Sequence, residues 1–312
     1  MKRYIAKRIL MFLLVLIGVS MLSFALVEAF GNDPAEIIVR RGNIRATYEQ
    51  IEEMRRSMGL DKPLPVRYLN WIRGMFAGDV GLSIYSFKPV MEDISVYFPT
   101  SLKLVGMAML WILVLFLPVS LLCARFRDSI FDHAVRVLSI VGLSFPAFWL
   151  GFLLLIAFAV KLSWFTVTPA PGIRGYVLPA FALALPVASA FIRIFRSALL
   201  KEMSSDYAQY ARARGLSPGR ILTAHAVRNA LPPIVTLSCQ YLGYLIAGAV
   251  VVENVFSVGG IGAYLIGCVT AADSTATATC VVIIAAVFVV ANLAGDLINR
   301  LLCPWMVKEY NA

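Results

Sequence analysis

The sequence predicts an all-α integral membrane protein with six transmembrane helices, on three observations. Of 312 residues, 60% are hydrophobic and only 15% charged, with a mean hydropathy of +0.81. That is far more apolar than a soluble domain. Six stretches carry the roughly 20 consecutive apolar residues that a helix needs to cross a bilayer. The 28 Lys and Arg residues gather beside those stretches, so the net charge of +10 reflects membrane topology and no nucleic-acid partner is expected.

The spans fall near 9–30, 102–124, 135–160, 176–199, 232–252 and 277–301. The first is too long for the apolar region of a signal peptide, and no small-x-small cleavage site follows it. Pro118, Pro146 and Pro186 lie inside spans, where neighbouring helices satisfy the freed carbonyls and prolines mark kinks. The chain then divides into an N-terminal segment with the first span (1–30), an extracytoplasmic helical segment (31–101) and a five-helix core (102–301). A hairpin at 200–231 interrupts the core, and 302–312 form a tail.

Short loops set the orientation. Lys2, Arg3, Lys7 and Arg8 precede the first span, and Arg125, Arg127 and Arg136 lie between the second and third. Arg300 and Lys308 end the chain, whereas the 253–276 loop has no Lys or Arg and 161–175 has only Lys161 and Arg174. The positive-inside rule places both termini in the cytoplasm, and the 31–101 segment is exempt because the rule holds for loops of up to ~60 residues.

The external segment reads as folded. Thr47-x-x-Gln50 is a capping box, and Gly59 is a stop after 48–58. Pro65 begins a helix in which Val66, Leu69, Ile72 and Phe76 share a face. Met91, Ile94 and Tyr97 mark a third short helix before Pro99, and Tyr68, Trp71 and Phe76 suit an interfacial position. A structural lid and a docking surface fit this pattern equally.

Between Ser204 and Pro233 lies a basic, soluble-looking hairpin between two apolar spans. Ser205 or Asp206 caps a short helix whose C′ position is Gly215, and Ser217 caps a second with Pro218 at its first position. Arg193, Arg196, Lys201, Arg212, Arg214, Arg220 and Arg228 cluster here, so the hairpin faces the cytoplasm. A folded hairpin kept inside the cell is a docking element.

Motifs for chemistry are missing. There is no G-x-x-x-x-G-K-[ST] phosphate loop, no H-E-x-x-H and no G-x-S-x-G, so no catalytic residue is assigned and ATP hydrolysis is not expected of this chain. His133 and His225 fall in cytoplasmic loops, and the five cysteines show no C-x-x-C spacing. No metal site is expected, and the cysteines read as small buried hydrophobes. Glu253 and Asp273 lie at membrane depth near an outer mouth, where a functional and a structural role are both open. Asp296 and Arg300, one turn apart, read as an intrahelical pair.

Ordered motifs then carry a resemblance from end to end. They are the N-terminal Lys-Arg-Tyr-Ile-Ala-Lys-Arg-Ile-Leu, Asn32-Asp-Pro-Ala, Met58-Gly-Leu-Asp-Lys-Pro-Leu with Arg67, Tyr68 and Trp71, and Gly78-Asp-Val-Gly-Leu-Ser. Ser144-Phe-Pro-Ala-Phe-Trp and Glu253-Asn-Val-Phe-Ser follow. The chain resembles permease subunits of ATP-binding-cassette importers in the dipeptide/oligopeptide/nickel family. In that family the hairpin sits in a groove on the ATPase. The resemblance assigns the coupling role to Asp206, Tyr207, Gln209, Tyr210, Ala211, Arg212, Arg214 and Gly215. Of the general Glu-Ala-Ala-x-x-x-Gly pattern this chain keeps Ala211 and Gly215, and has Gln209 and Tyr210 in the first two places. Arg212 and Arg214 are placed to pair with acidic groups of the ATPase; holding lipid head groups or setting topology is the plainer alternative.

A second departure follows Glu253. Relatives carry Phe-x-x-Pro-Gly-x-Gly, where this chain reads Phe256-Ser-Val-Gly-Gly-Ile-Gly. The glycines allow a re-entrant turn, and Glu253, Phe256, Gly259, Gly260 and Asp273 are the expected substrate path or gate.

The resemblance implies alternating access in a bacterial inner membrane. A homologous second permease, two ATP-binding-cassette ATPases carrying ATP and magnesium, an extracytoplasmic substrate-binding protein and the lipid bilayer are the implied partners. No cofactor is expected on this chain itself. The brief connection from Leu162 to Pro179 leans the cargo towards nickel or a metal chelate, with di- or oligopeptides as the alternative. A secondary transporter is a rival from another class, but it would need inverted repeats that the chain does not show.

Overall fold

The computed structural model describes residues 2–29, 33–42 and 46–302. The side chains of residues 1–7 and of Arg300 lie outside the described part, as do Asn32 and the tail from 303 onward. So, therefore, do the expected Asp296–Arg300 pair and all of the tail beyond Leu302.

The described chain is helical: α1 (Lys2–Ala29), α2 (Pro34–Gly42), α3 (Tyr48–Ser57), α4 (Leu64–Ala77), α5 (Val90–Arg125), α6 (Ile130–Ser144) and α7 (Ala147–Leu154). They are followed by α8 (Arg174–Met203), α9 (Asp206–Ala213), α10 (Pro218–Ile221), α11 (Val227–Val255), α12 (Ile261–Thr270) and α13 (Ser274–Leu302). Five helices are long and apolar enough to cross a membrane, and six spans result if one bent pair counts as a single crossing.

The bent pair is the expected third span. α6 and the α7 segment, prolonged by a π turn to Lys161, meet at 102°. Pro146 is the cause: it has no N–H to continue α6, and its ring drives Phe145 out of the helical region to φ −84°, ψ 125°. A kink was expected at Pro146, and the structure makes a corner.

Two boundaries also differ from the sequence reading. The expected third external helix does not stand alone, because α5 runs unbroken from Val90 through Pro99 and Pro118 to Arg125 over 36 residues. At 1.5 Å per residue that is about 54 Å, well beyond a hydrocarbon core of about 30 Å. The fifth span likewise begins early: α10, a π turn at Leu222–Ala226 and α11 form one apolar stretch from Pro218 to Val255. Pro232 and Pro233 sit inside it, and the hydroxyl of Thr236 donates to the Pro232 carbonyl at 3.2 Å.

The chain forms two compact units, Met1–Ser101 with Gly259–Val289, and Leu102–Val258 with Val290–Ala312. In the first unit Trp71 packs with Ala278 and Val282 among Phe24, Val27, Tyr68, Ile72 and Met75. The buried stripe of α4 is therefore Tyr68, Trp71, Ile72 and Met75. The expected face is exposed at Val66 and Leu69, and Phe76 is 90% exposed. The Trp71 indole decides this, donating to the Thr279 hydroxyl at 3.1 Å and lying tilted against the rings of Phe24 and Tyr68. The Thr47–Gln50 capping box forms as read, and Glu28 at the end of α1 is paired with Arg67 at 2.8 and 2.5 Å. In the second unit α8 is the central helix, packed against α6, α7 and α11, with Phe116, Phe191 and Phe195 meeting edge to face.

Candidate coupling site and external clamp

α9 lies between two exposed turns. Its first residue is Asp206, and Ser205 holds the N-cap backbone geometry. The Ser205 hydroxyl turns back to the Glu202 carbonyl at 2.6 Å, so neither of the expected side chains caps α9. Ser217 does cap α10, accepting from the Arg220 N–H at 3.4 Å with Pro218 next in line.

The C-terminal end of α9 is a Schellman turn. Gly215 takes φ 83°, its N–H reaches the Arg212 carbonyl at 2.9 Å, and the Leu216 N–H reaches the Ala211 carbonyl at 3.1 Å. Thus Ala211, whose carbonyl accepts from Leu216, and Gly215, the left-handed residue, both belong to one hydrogen-bonded turn.

The other hairpin residues split into two sets. Arg212 donates to the carbonyls of Met203 and Ala208, tying the end of α8 to α9. Gln209 donates to the Ser204 carbonyl at 3.3 Å, and the Tyr207 hydroxyl donates to Glu202 at 2.8 Å. Burial first, then the Glu202 carboxylate, raises the Tyr207 phenol above its usual range. These three side chains hold α9 to the end of α8. Tyr210 is 66% exposed with the Arg214 guanidinium 5.7 Å above its ring, and Asp206 is exposed beside them. That pair presents an outward cation and an aromatic surface.

Of the expected gate residues, Glu253 and Phe256 belong to the second unit and Gly259, Gly260 and Asp273 to the first. Glu253 is fully buried near the end of α11, and its carbonyl accepts the Val258 N–H at 2.8 Å. Phe256 is buried too, against Gly151. Gly259 and Gly260 do not make the left-handed turns. Those are taken by Ser257 at φ 54° and Ala272 at φ 57°, the residues that close α11 and α12. Gly260 instead enters α12 in extended backbone.

Asp273 is the centre of a clamp in the first unit. One carboxylate oxygen accepts from the Ser83 hydroxyl and the Ile84 N–H, each at 2.6 Å, and from the Tyr85 N–H at 3.2 Å. The other accepts from the Ala276 N–H at 3.0 Å, capping α13. Tyr85 then lies on the bare backbone of Gly267, where an added Cβ would stand 2.7 Å from the ring. Tyr264 joins this cluster between Tyr85 and Tyr97. Sequence reading found Asp273 by its charge at membrane depth, but had no means to find its partners about 190 residues upstream.

Of the cysteines, Cys123, Cys239, Cys268 and Cys280 are free and buried. Among the described residues no group of three or more His, Cys, Asp or Glu is placed to hold a metal ion.

Comparison with known proteins places this architecture. Residues 116–308, which include the hairpin, match the family described as the binding-protein-dependent transport system inner membrane component. Residues 1–105 match the N-terminal part of such a membrane component. A di/tripeptide transport system permease protein of Pseudomonas aeruginosa is 32% identical over 332 aligned positions, covering 97% of this chain and 98% of the relative. Glutathione transport system permease proteins are similar over the same shares of both chains, at 33% identity in Salmonella typhi and 32% in Escherichia coli. The chain belongs to the inner-membrane permease family of binding-protein-dependent, ATP-binding-cassette importers, and it is a multi-pass inner-membrane protein of that family.

Proposed function

We propose that this chain is one of two permease subunits that carry small peptides inward by alternating access. The observation that carries the cargo is full-length similarity to permeases named for di/tripeptide and glutathione transport, at 32–33% identity over 97% of the chain. The nickel or metal-chelate reading rests only on the brief 162–179 connection, and none of the relatives compared above is named for a metal. Small peptides are therefore the preferred class.

A homologous permease, two ATPases that bind ATP and magnesium, and an extracytoplasmic binding protein complete the machine in this reading. The termini and the α9 hairpin face the cytoplasm, as the distribution of Lys and Arg in short loops supports. α9 is the lever: Tyr210 and Arg214 meet the ATPase, while Arg212, Gln209 and Tyr207 transmit its movement to α8. The Gly215 turn sets the angle between α9 and the α10–α11 helix.

The test is reconstitution of the chain with its partner subunits in liposomes. ATP-dependent uptake of labelled di- and tripeptides, glutathione among them, is the expected outcome. Uptake of nickel chelate without any peptide uptake would reverse the choice of cargo, and uptake without an ATPase would remove the chain from its proposed role.

A further inference from the structure

The geometry points to the face shared by α8 and α11 in the second unit as the transit path, with Arg193 receiving the carboxylate of the cargo. The cargo class rests on the peptide reading above; the path rests on what lines that face. Two cavities, of ≈560 and ≈350 Å³, both reach Leu143. Each falls within the roughly 300–1,000 Å³ of small-molecule sites. The first is walled by Ala190, Arg193, Ser197 and Lys201 of α8, and the second by Pro186 and Val187 of α8 with Gln240, Tyr241 and Tyr244 of α11.

Exposure along α11 has a helical rhythm. Gln240, Tyr244, Ala247, Val251 and Asn254 are exposed and spaced by three or four residues, so they form one stripe. Most other residues of the helix between Leu231 and Val252 are the apolar ones a span requires. The amide of Gln240 and the phenol of Tyr244 on its open side would be costly against acyl chains, because hydrocarbon offers no hydrogen-bond partner. Water and peptide groups do offer partners.

Arg193 carries the argument from path to chemistry. It stands about ten residues before the end of α8 at Met203, about 15 Å along the axis, within the cytoplasmic third of the helix. One turn away Arg196 is neutralised by Asp132. Among the described residues neither Arg193 nor Lys201 has an ion-pair partner, and both are exposed to the cavity. An unpaired ionisable group within a span faces water or other polar groups in preference to acyl chains, and this one lines the cavity. A guanidinium suits a planar carboxylate, which it binds through two parallel hydrogen bonds. The carboxylate that every unmodified peptide carries at its C-terminus fits this cation. The neighbouring Ala190, Ser197 and Ala198 leave room for it.

The test uses the assembled importer in sealed vesicles. The four described cysteines are buried, so with Cys303→Ser a water-soluble, membrane-impermeant thiosulfonate should reach only a cysteine placed on this face. Tyr244→Cys and Ser197→Cys are made separately, with co-purification of the partner subunits checking assembly. Both cysteines should react, peptide and ATP should slow the reaction, and the modified complexes should lose most peptide uptake. Failure of both to react, or unchanged uptake after full modification, overturns the path and leaves the face to lipid or to a partner helix. Arg193→Gln should raise the uptake KM for a dipeptide about tenfold, the scale of one lost charge-assisted hydrogen bond, and Arg193→Lys should restore part of it. An equal effect on a C-terminally amidated dipeptide would remove the carboxylate contact. Should the importer carry only a metal chelate, a block by modified Tyr244→Cys supports the path while the peptide reading falls.

Discussion

Arg196 and Asp132 form a two-pronged ion pair inside the second unit. The guanidinium Nε donates to Oδ1 and Nη2 to Oδ2, each at 2.5 Å, and Asp132 is fully buried. Asp132 also accepts from the Asp128 N–H at 3.1 Å, while its own N–H is capped by Ser129 at 3.2 Å. The pair therefore fixes the first turn of α6 to the last third of α8, the unit's central helix.

Arg196→Gln leaves a buried carboxylate without its partner and should cost about 3–5 kcal/mol. Replacing both residues by apolar ones of similar size should cost much less, since neither charge is then stranded. Thermal unfolding of the detergent-solubilised variants measures this. Equal losses in the single and double variants would show that the two side chains are not coupled.

Asp273→Ala removes the acceptor shared by Ser83, Ile84, Tyr85 and Ala276. Loss of hydrogen bonds to a charged group should destabilise the 83–85 segment and the start of α13 by about 2–3 kcal/mol. Hydrogen exchange at the Ile84 and Tyr85 amides should quicken by more than tenfold, while α8 amides stay protected. Unaltered exchange at Ile84 would mean that the loop holds its shape without the clamp.

Gly215→Val tests the lever. A Cβ at this position meets no atom within 4 Å, so any effect comes from the backbone at φ 83° and not from crowding. A β-branched residue there costs about 1–2 kcal/mol. The variant should insert and assemble, but lose peptide uptake and substrate-stimulated ATPase activity. Gly215→Asn, which tolerates the left-handed region, should lose less. Full activity in the assembled valine variant would separate this turn from coupling.

Topology offers a test free of activity. Reporters at Gly172 and Ala271 should read extracytoplasmic, and one at Gly219 cytoplasmic, following the charge asymmetry of the short loops. A reporter at Gly219 on the outside would invert the arrangement and take the hairpin away from any ATPase.

The sequence by itself determined the class of this protein, its membrane segments and the hairpin turn. Spans follow from local composition, because a helix that must satisfy its own backbone in lipid needs only a long apolar run. The Gly215 turn and the Thr47 cap were legible for the same reason, since each is closed by hydrogen bonds within a few residues. Tertiary structure decided the rest. It made a corner at Pro146, carried α5 through Pro99, buried Trp71 in place of Val66 and Leu69, and tied Arg212 to the Met203 and Ala208 carbonyls while leaving Arg214 over the Tyr210 ring. It also buried Glu253 and Asp273 within their own units. Such outcomes depend on partners far along the chain, and a residue's own neighbours in sequence carry no record of which distant donor will reach it.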